Sequence, residues 1–226
     1  MLDLLKGRSV QAVFTQNQTC CGLPALMAAE EETAVKLARQ NIDAFQAVSC
    51  DYILTLCASC ASHIKHFYTK LVANTGFSAA HVRNFSDKII DFSSFMVNTL
   101  KVAQGDFKKS NKKVAYHAPC HLCRGLYVIE EPRRLIEIAG LRYVPSPDED
   151  VCCGFGGSYS VDFPEISAEI LKKKLDNVEQ SGAEILVTDC PGCVLQLRGG
   201  MDKRKGGIVV KHISEAVAKQ LMEPHG

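Results

Sequence analysis

The chain has 226 residues, 46% of them hydrophobic and 23% charged, which suits a globular protein of one large domain or two of about a hundred residues each. Its formal net charge of +1 supplies no electrostatic reason to expect nucleic acid as a partner. No run reaches the roughly 18 to 20 uninterrupted apolar residues of a membrane helix, and residues 1–8 lack the charged-then-apolar order of a signal peptide, so a cytoplasmic chain is expected, with membrane association only through partners.

In chain order, residues 10–15 read as a strand, Cys20-Cys21-Gly22 as a turn, residues 30–48 as a helix, 52–56 as a strand and 57–71 as a helix. The second half repeats the theme. Residues 114–117 form a short apolar strand that runs directly into Cys120, and Pro132 opens a helix with Leu135, Ile136 and Ile138 on its apolar face and Gly140 at its end. A strand over 142–145 precedes the turn Cys152-Cys153-Gly154. Pro164 then opens a long helix with Ile166, Ile170, Leu171, Leu175 and Val178 at helical spacing, stopped by Gly182. A buried-type strand over 184–188 leads to Cys190, a helix resumes after Pro191, and a last strand covers 208–211. Alternation of this kind predicts an α/β fold: two pseudo-repeated β-α-β units, parallel sheets flanked by helices, and cysteines at the carboxyl ends of strands. The expected boundaries are 1–105 for the first repeat and 106–226 for the second.

Eleven cysteines, an odd number, in a chain expected in a reducing compartment point to metal or redox chemistry before disulfides. Their spacing repeats. Cys20-Cys21-Gly22 and Cys152-Cys153-Gly154 are separated by 132 residues, and the Cys-x-x-Cys pairs Cys57/Cys60 and Cys190/Cys193 by 133. A repeated supersecondary unit that puts its ligands at equivalent points explains this. The second copy is complete, with Cys120, Cys152, Cys153, Cys190 and Cys193. The first has Cys20, Cys21, Cys57 and Cys60 and no counterpart of residues 114–120, so it is a fragment or mis-started frame, or another chain completes it. Leu2, Leu4 and Leu5 would then be an exposed half-helix, a docking surface or a product of truncation.

The segments Tyr116-His117-Ala118-Pro119-Cys120-His121-Leu122, Cys152-Cys153-Gly154-Phe155-Gly156-Gly157-Ser158 and Thr188-Asp189-Cys190-Pro191-Gly192-Cys193 make nearly the whole chain resemble the CCG cysteine-rich domain family. That family occurs in the cysteine-rich subunit of heterodisulfide reductase and in the iron–sulfur subunits of glycolate, glycerol-3-phosphate and lactate dehydrogenases, and the lactate/glycolate branch is the most similar. There the repeats usually follow a ferredoxin-like domain with Cys-x-x-Cys-x-x-Cys runs, which this chain lacks.

An ordinary four-iron cubane takes four thiolates, and the clusters of altered shape implied by the resemblance use five. Cys120, Cys152, Cys153, Cys190 and Cys193 satisfy either number, so an iron–sulfur cluster of 4Fe–4S type, cubane or not, is expected in the second repeat. Cys20, Cys21, Cys57 and Cys60 suit a 4Fe–4S cubane or a four-thiolate zinc site. The resemblance implies an electron-transfer subunit of a flavin-dependent lactate or glycolate dehydrogenase that passes electrons toward quinone, with a flavin subunit and a ferredoxin-like protein or domain as partners. Two alternatives stand beside it: disulfide reduction at the cluster, as in heterodisulfide reductase, and a zinc-stabilised scaffold. Cys50 and Cys123 read as packing thiols, His117 and His121 as structural histidines, His63 and His66 as solvent-facing, and Asp189 as a helix cap.

Overall fold

Parallel pairing of short strands organises the chain into two sheets of unequal size. The computed structural model describes residues 2–5 and 8–222. They divide into one unit of Val13–Asp91 and another in which Phe92–Gly226 is joined by Met1–Ala12. Residues 92–105, on the first-repeat side of the sequence boundary, therefore group with the later unit. So does the short helix α1 (Leu2–Leu5), whose Leu4 and Leu5 are buried while Leu2 is about half exposed. The expectation of an exposed apolar half-helix is corrected here, since two of its three leucines are covered.

The Val13–Asp91 unit contains α2 (Leu23–Met27), α3 (Glu31–Gln46), β1 (Ile53–Thr55), α4 (Ala58–Leu71), α5 (Ala79–Asp87) and β2 (Ile89–Asp91). β1 and β2 run parallel, with Ile53 beside Ile89 and Thr55 beside Asp91. α3 buries Ala34, Ala38, Asn41 and Ile42, and α4 buries Ala61, Ile64 and Tyr68, each set on one helical face. The sequence reading has no counterpart for α5 and β2. α5 starts at Ser78, whose hydroxyl accepts the His81 N–H, a short-range cap that marks its beginning.

Residues 10–15 form no strand, and Val13 and Phe14 are exposed. The physical reason is pairing: a strand lasts only where its N–H and C=O groups meet a neighbouring ladder. In the later unit the equivalent strand pairs with the one formed by residues 113–116, whereas among the described residues no strand pairs with residues 10–15.

The later unit continues with α6 (Phe92–Ser94), which runs into a π-helical turn over Phe95–Thr99. Then follow β3 (Lys113–Tyr116), α7 (Glu130–Ile138), β4 (Arg142–Tyr143), α8 (Tyr159–Asp162), α9 (Pro164–Gln180), β5 (Ile185–Thr188), α10 (Pro191–Arg204), β6 (Val209–His212) and α11 (Ile213–Ala218). The sheet order is β4-β3-β5-β6 with every neighbouring pair parallel. Central β5 is buried at all four positions, which explains its unbroken apolar run. Val114, Leu186, Val187, Leu135, Ile136 and Leu197 form the heart of this core.

Gly22 and Gly154 take the same left-handed conformation, φ 85° and 86°, immediately after each double cysteine. A Cβ on Gly154 would stand 2.7 Å from the Ser167 carbonyl oxygen, and one on Gly22 3.2 Å from that of Ala34. These turns therefore require glycine both for their backbone angle and for the close approach of the following helix. Gly154→Ala is expected to cost more than about 1 kcal/mol of stability, and Gly22→Ala less, because its collision is milder. Chemical denaturation of the two variants checks the order.

Candidate metal centres

In the Val13–Asp91 unit, Cys57 is the N-cap residue of α4 and Cys60 lies in its first turn. The double cysteine is brought to that helix end by polar contacts from two helices. Asn41 accepts the Thr19 N–H at 2.9 Å and donates to the Cys20 carbonyl at 2.9 Å, while the Tyr68 hydroxyl donates to the Cys21 carbonyl at 2.9 Å. Asn41 and Tyr68 also bond to each other at 3.2 Å. The neighbouring Cys60 side chain holds the Cys21 thiol down at about 7 despite its burial. Cys60 is pushed far up, first by Cys21 and then by Cys57. Cys20 also acts on the Cys21 thiol and Cys57 on that of Cys60, so the four residues of this set neighbour one another in pairs.

In the later unit, Cys190 is the N-cap residue of α10 with Cys193 in its first turn, the same placement as Cys57 and Cys60. Cys120 follows β3, and Cys152 and Cys153 occupy the turn after β4. The Gly154 N–H donates to the Cys152 sulfur at 3.3 Å. Bonds from Cys120 and then Cys153 pull the Cys152 thiol down to about 2. The same contact pushes Cys153 up to about 12, although Cys193 acts in the opposite sense. Cys193 is raised by its bonds to Cys153 and Cys190, and Cys120 by its bond to Cys152. Neighbouring thiols thus act on one another pairwise from Cys120 through Cys152, Cys153 and Cys193 to Cys190, and Cys153 and Cys193 stand within 4.8 Å of each other and of a His117 ring nitrogen. Helix N-termini at Cys57 and Cys190 add a positive dipole end, which favours thiolate.

His117, read from sequence as structural, has a ring nitrogen within 4.8 Å of the Cys153 and Cys193 sulfurs. The ring is buried, and its Nδ1 has no hydrogen-bond partner. Burial, then the nearby Lys174 charge, lowers its pKa to about 3, so it is neutral at ordinary pH. Its position at the end of a buried strand, three residues before Cys120, was the available signal. Asp189 is not a helix cap: Cys190 occupies that place, and the buried Asp189 carboxylate accepts from the Ser93 hydroxyl at 2.6 Å and the Tyr116 hydroxyl at 3.0 Å. His63 is buried between the rings of Phe67 and Tyr68 and does not face solvent, whereas His66 is exposed. Cys123 lies near the Cys120 carbonyl at 3.9 Å.

All eleven cysteines are free thiols. Packed thiols with a buried imidazole beside them fit a metal or iron–sulfur group, since coordination deprotonates thiols. Two α/β units, each converging thiols at the carboxyl end of a parallel strand and the start of a helix, define a cysteine-rich metal-binding class. The family model for the "Cysteine-rich domain" matches residues 1–65 and 114–198, and the chain belongs to this CCG family. It is 31% identical over 223 residues to Lactate utilization protein A 2 of Bacillus cereus, covering 98% of this chain and 90% of that protein. Lactate utilization protein A of Shouchella clausii is 32% identical over 218 residues, covering 96% of this chain and 89% of the relative. Lactate utilization protein A 1 of Bacillus anthracis is 31% identical over 223 residues. Among the described residues, no helix is long and apolar enough to cross a membrane.

Proposed function

We propose that the chain is an iron–sulfur electron-transfer subunit of a flavin-dependent 2-hydroxy-acid dehydrogenase complex that serves lactate utilisation and passes electrons toward quinone. The observation that carries this reading is the convergence of Cys120, Cys152, Cys153, Cys190 and Cys193 in a chain whose relatives are named for lactate utilisation. These five residues hold a cluster of 4Fe–4S type, cubane or of altered shape. Cys20, Cys21, Cys57 and Cys60 hold a second group, a 4Fe–4S cubane or zinc, and the two repeats meet near residue 105. When bound, the cluster supplies one-electron transfer without a change of covalent bonds in the protein. The protein's residues position it: the sulfurs stand at helix starts, the Gly154 N–H bonds the Cys152 sulfur, and the surrounding core limits access of water. Partners are a flavin-containing dehydrogenase subunit and a ferredoxin-like iron–sulfur protein or domain, and the setting is cytoplasmic, with contact to the inner face of the membrane through those partners.

Iron, zinc and acid-labile sulfide, measured with an EPR spectrum on protein purified without oxygen, test the reading. Iron and sulfide at about four per chain or above are expected for a 4Fe–4S group, with reduction by a lactate-reduced flavin subunit and reoxidation by a water-soluble quinone. Zinc without sulfide would overturn it.

A further inference from the structure

The two units differ at one buried position behind the cysteines. Gly22 approaches the Ala34 carbonyl and Gly154 the Ser167 carbonyl, so the helices after the double cysteines correspond with a shift of 133 residues (34 to 167). In this register Ile42 falls on Leu175 and Asn41 on Lys174, and all four are buried. Both side chains bond backbone carbonyls around the double cysteine, though at different points. Asn41 donates to the Cys20 carbonyl at 2.9 Å, and the Lys174 ammonium donates to the carbonyl of Asp148 and, at 3.2 Å, to that of Glu149, in the loop that leads into Cys152.

The carbonyl that corresponds to that of Glu149, at Asn17, is held by the neutral amide of Gln40 at 3.0 Å, so an amide suffices to hold such a loop, and an ammonium buried to 2% exposure costs far more to desolvate. The adjacent carboxylates are engaged elsewhere. Glu149 accepts from Arg133 at 2.8 Å and from Tyr143 at 2.6 Å, and Asp148 from Lys173 at 2.9 Å and Asn177 at 3.3 Å. The Glu149 carbonyl that Lys174 holds also accepts the Ala118 N–H at 3.1 Å, next to His117 and two residues before Cys120, and the Lys174 charge acts on His117 and Cys153. Burial lowers the Lys174 pKa, and Cys153 is the foremost group that opposes this.

We propose that Lys174 is the internal counter-cation of the second cysteine site, a positioning residue whose fixed charge favours the reduced, more negative cluster and raises its potential. This rests on the iron–sulfur reading given above. One-electron reduction adds one negative charge to the site and makes no bond; a reduced flavin supplies the electron and a quinone accepts it afterwards. An ammonium close by in a poorly solvated pocket stabilises that added charge, whereas the amide of Asn41 in the other unit carries none. Where both units hold clusters of the same type, the one beside Lys174 has the higher potential.

The test is an EPR-monitored redox titration of the full chain, purified without oxygen and reduced with dithionite, for wild type, Lys174→Asn, Lys174→Met and Lys174→Arg. The signal of the second site is identified by its loss in a Cys153→Ala/Cys193→Ala variant. Expected is a negative shift of its midpoint in the Asn and Met variants, with iron and sulfide unchanged, and a midpoint near wild type in Lys174→Arg. Loss of iron from the two neutral variants with retention in Lys174→Arg also supports a charge role. An unmoved midpoint in an iron-complete Lys174→Asn protein overturns the proposal, as does iron loss from all three variants, which would make Lys174 a packing strut. Wild-type protein with zinc and no sulfide is a different outcome: it defeats the electron-transfer reading itself, and the role of Lys174 with it.

Discussion

Alanine at both Cys153 and Cys193 is expected to abolish the iron and sulfide of the later unit while leaving the Cys20, Cys21, Cys57 and Cys60 set loaded. The two sulfurs lie at the centre of the contact series: Cys153 bonds to Cys152 and Cys193, and Cys193 to Cys190. Their removal leaves three thiols, fewer than a four-iron cluster requires. Both side chains are buried, so water cannot readily replace the lost ligands. His117 supplies one further donor at most, and it is aligned with the two sulfurs that have been removed. Metal and sulfide content per chain, read beside the EPR signal, gives the result directly. Full cluster content in this double variant would show that the convergence of the five cysteines has been read wrongly. Because binding to a site absent from the unfolded chain stabilises the fold, the variant should also melt below the loaded wild type and close to wild type stripped of metal.

Asp189→Ala should lower stability by about 3 kcal/mol, since it strands two buried hydroxyl donors and removes a buried, hydrogen-bonded charge. For a chain of this length that is a fall in Tm on the order of 6–12 °C. The carboxylate bridges the Ser93 and Tyr116 hydroxyls at 2.6 and 3.0 Å, and Tyr116 is buried. Burial, followed by the Asp189 charge, drives the Tyr116 phenol well above its ordinary range, so it remains a donor at every practical pH. Ser93→Ala alone removes one neutral partner and should cost about 1 kcal/mol. The comparison belongs in metal-free protein, where thermal unfolding reports the polar cluster alone. A metal-free Asp189→Ala protein that melts with wild type would show that this cluster contributes nothing to stability. In loaded protein the effect extends to the site, because Asp189 joins the end of β5 to Cys190 at the start of α10.

The cysteine sets were legible because their chemistry is written at short range. A Cys-x-x-Cys at a helix start places two sulfurs on one turn whatever surrounds it, and a double cysteine followed by glycine defines a turn that only glycine adopts without strain. The repeat of these motifs at shifts of 132 and 133 residues conveyed a duplicated unit. Apolar runs such as residues 185–188 likewise announced buried parallel strands. The strand expected over residues 10–15 failed for the converse reason: its pattern was suitable, but a strand requires a neighbour, and pairing is decided by distant segments.

Composition and spacing thus determined the α/β class and the family resemblance, properties carried by neighbouring residues or by their repetition. Tertiary structure alone decided that His117 lies beside Cys153 and Cys193, that Asp189 binds Ser93 and Tyr116, and that Lys174 is buried against the loop before Cys152. In sequence, Lys174 is the last of three consecutive lysines on a helix, and nothing local distinguishes it from Lys172 or Lys173. Its burial follows from which helical face the β4 to α8 loop covers, and only packing between segments far apart in the chain determines that.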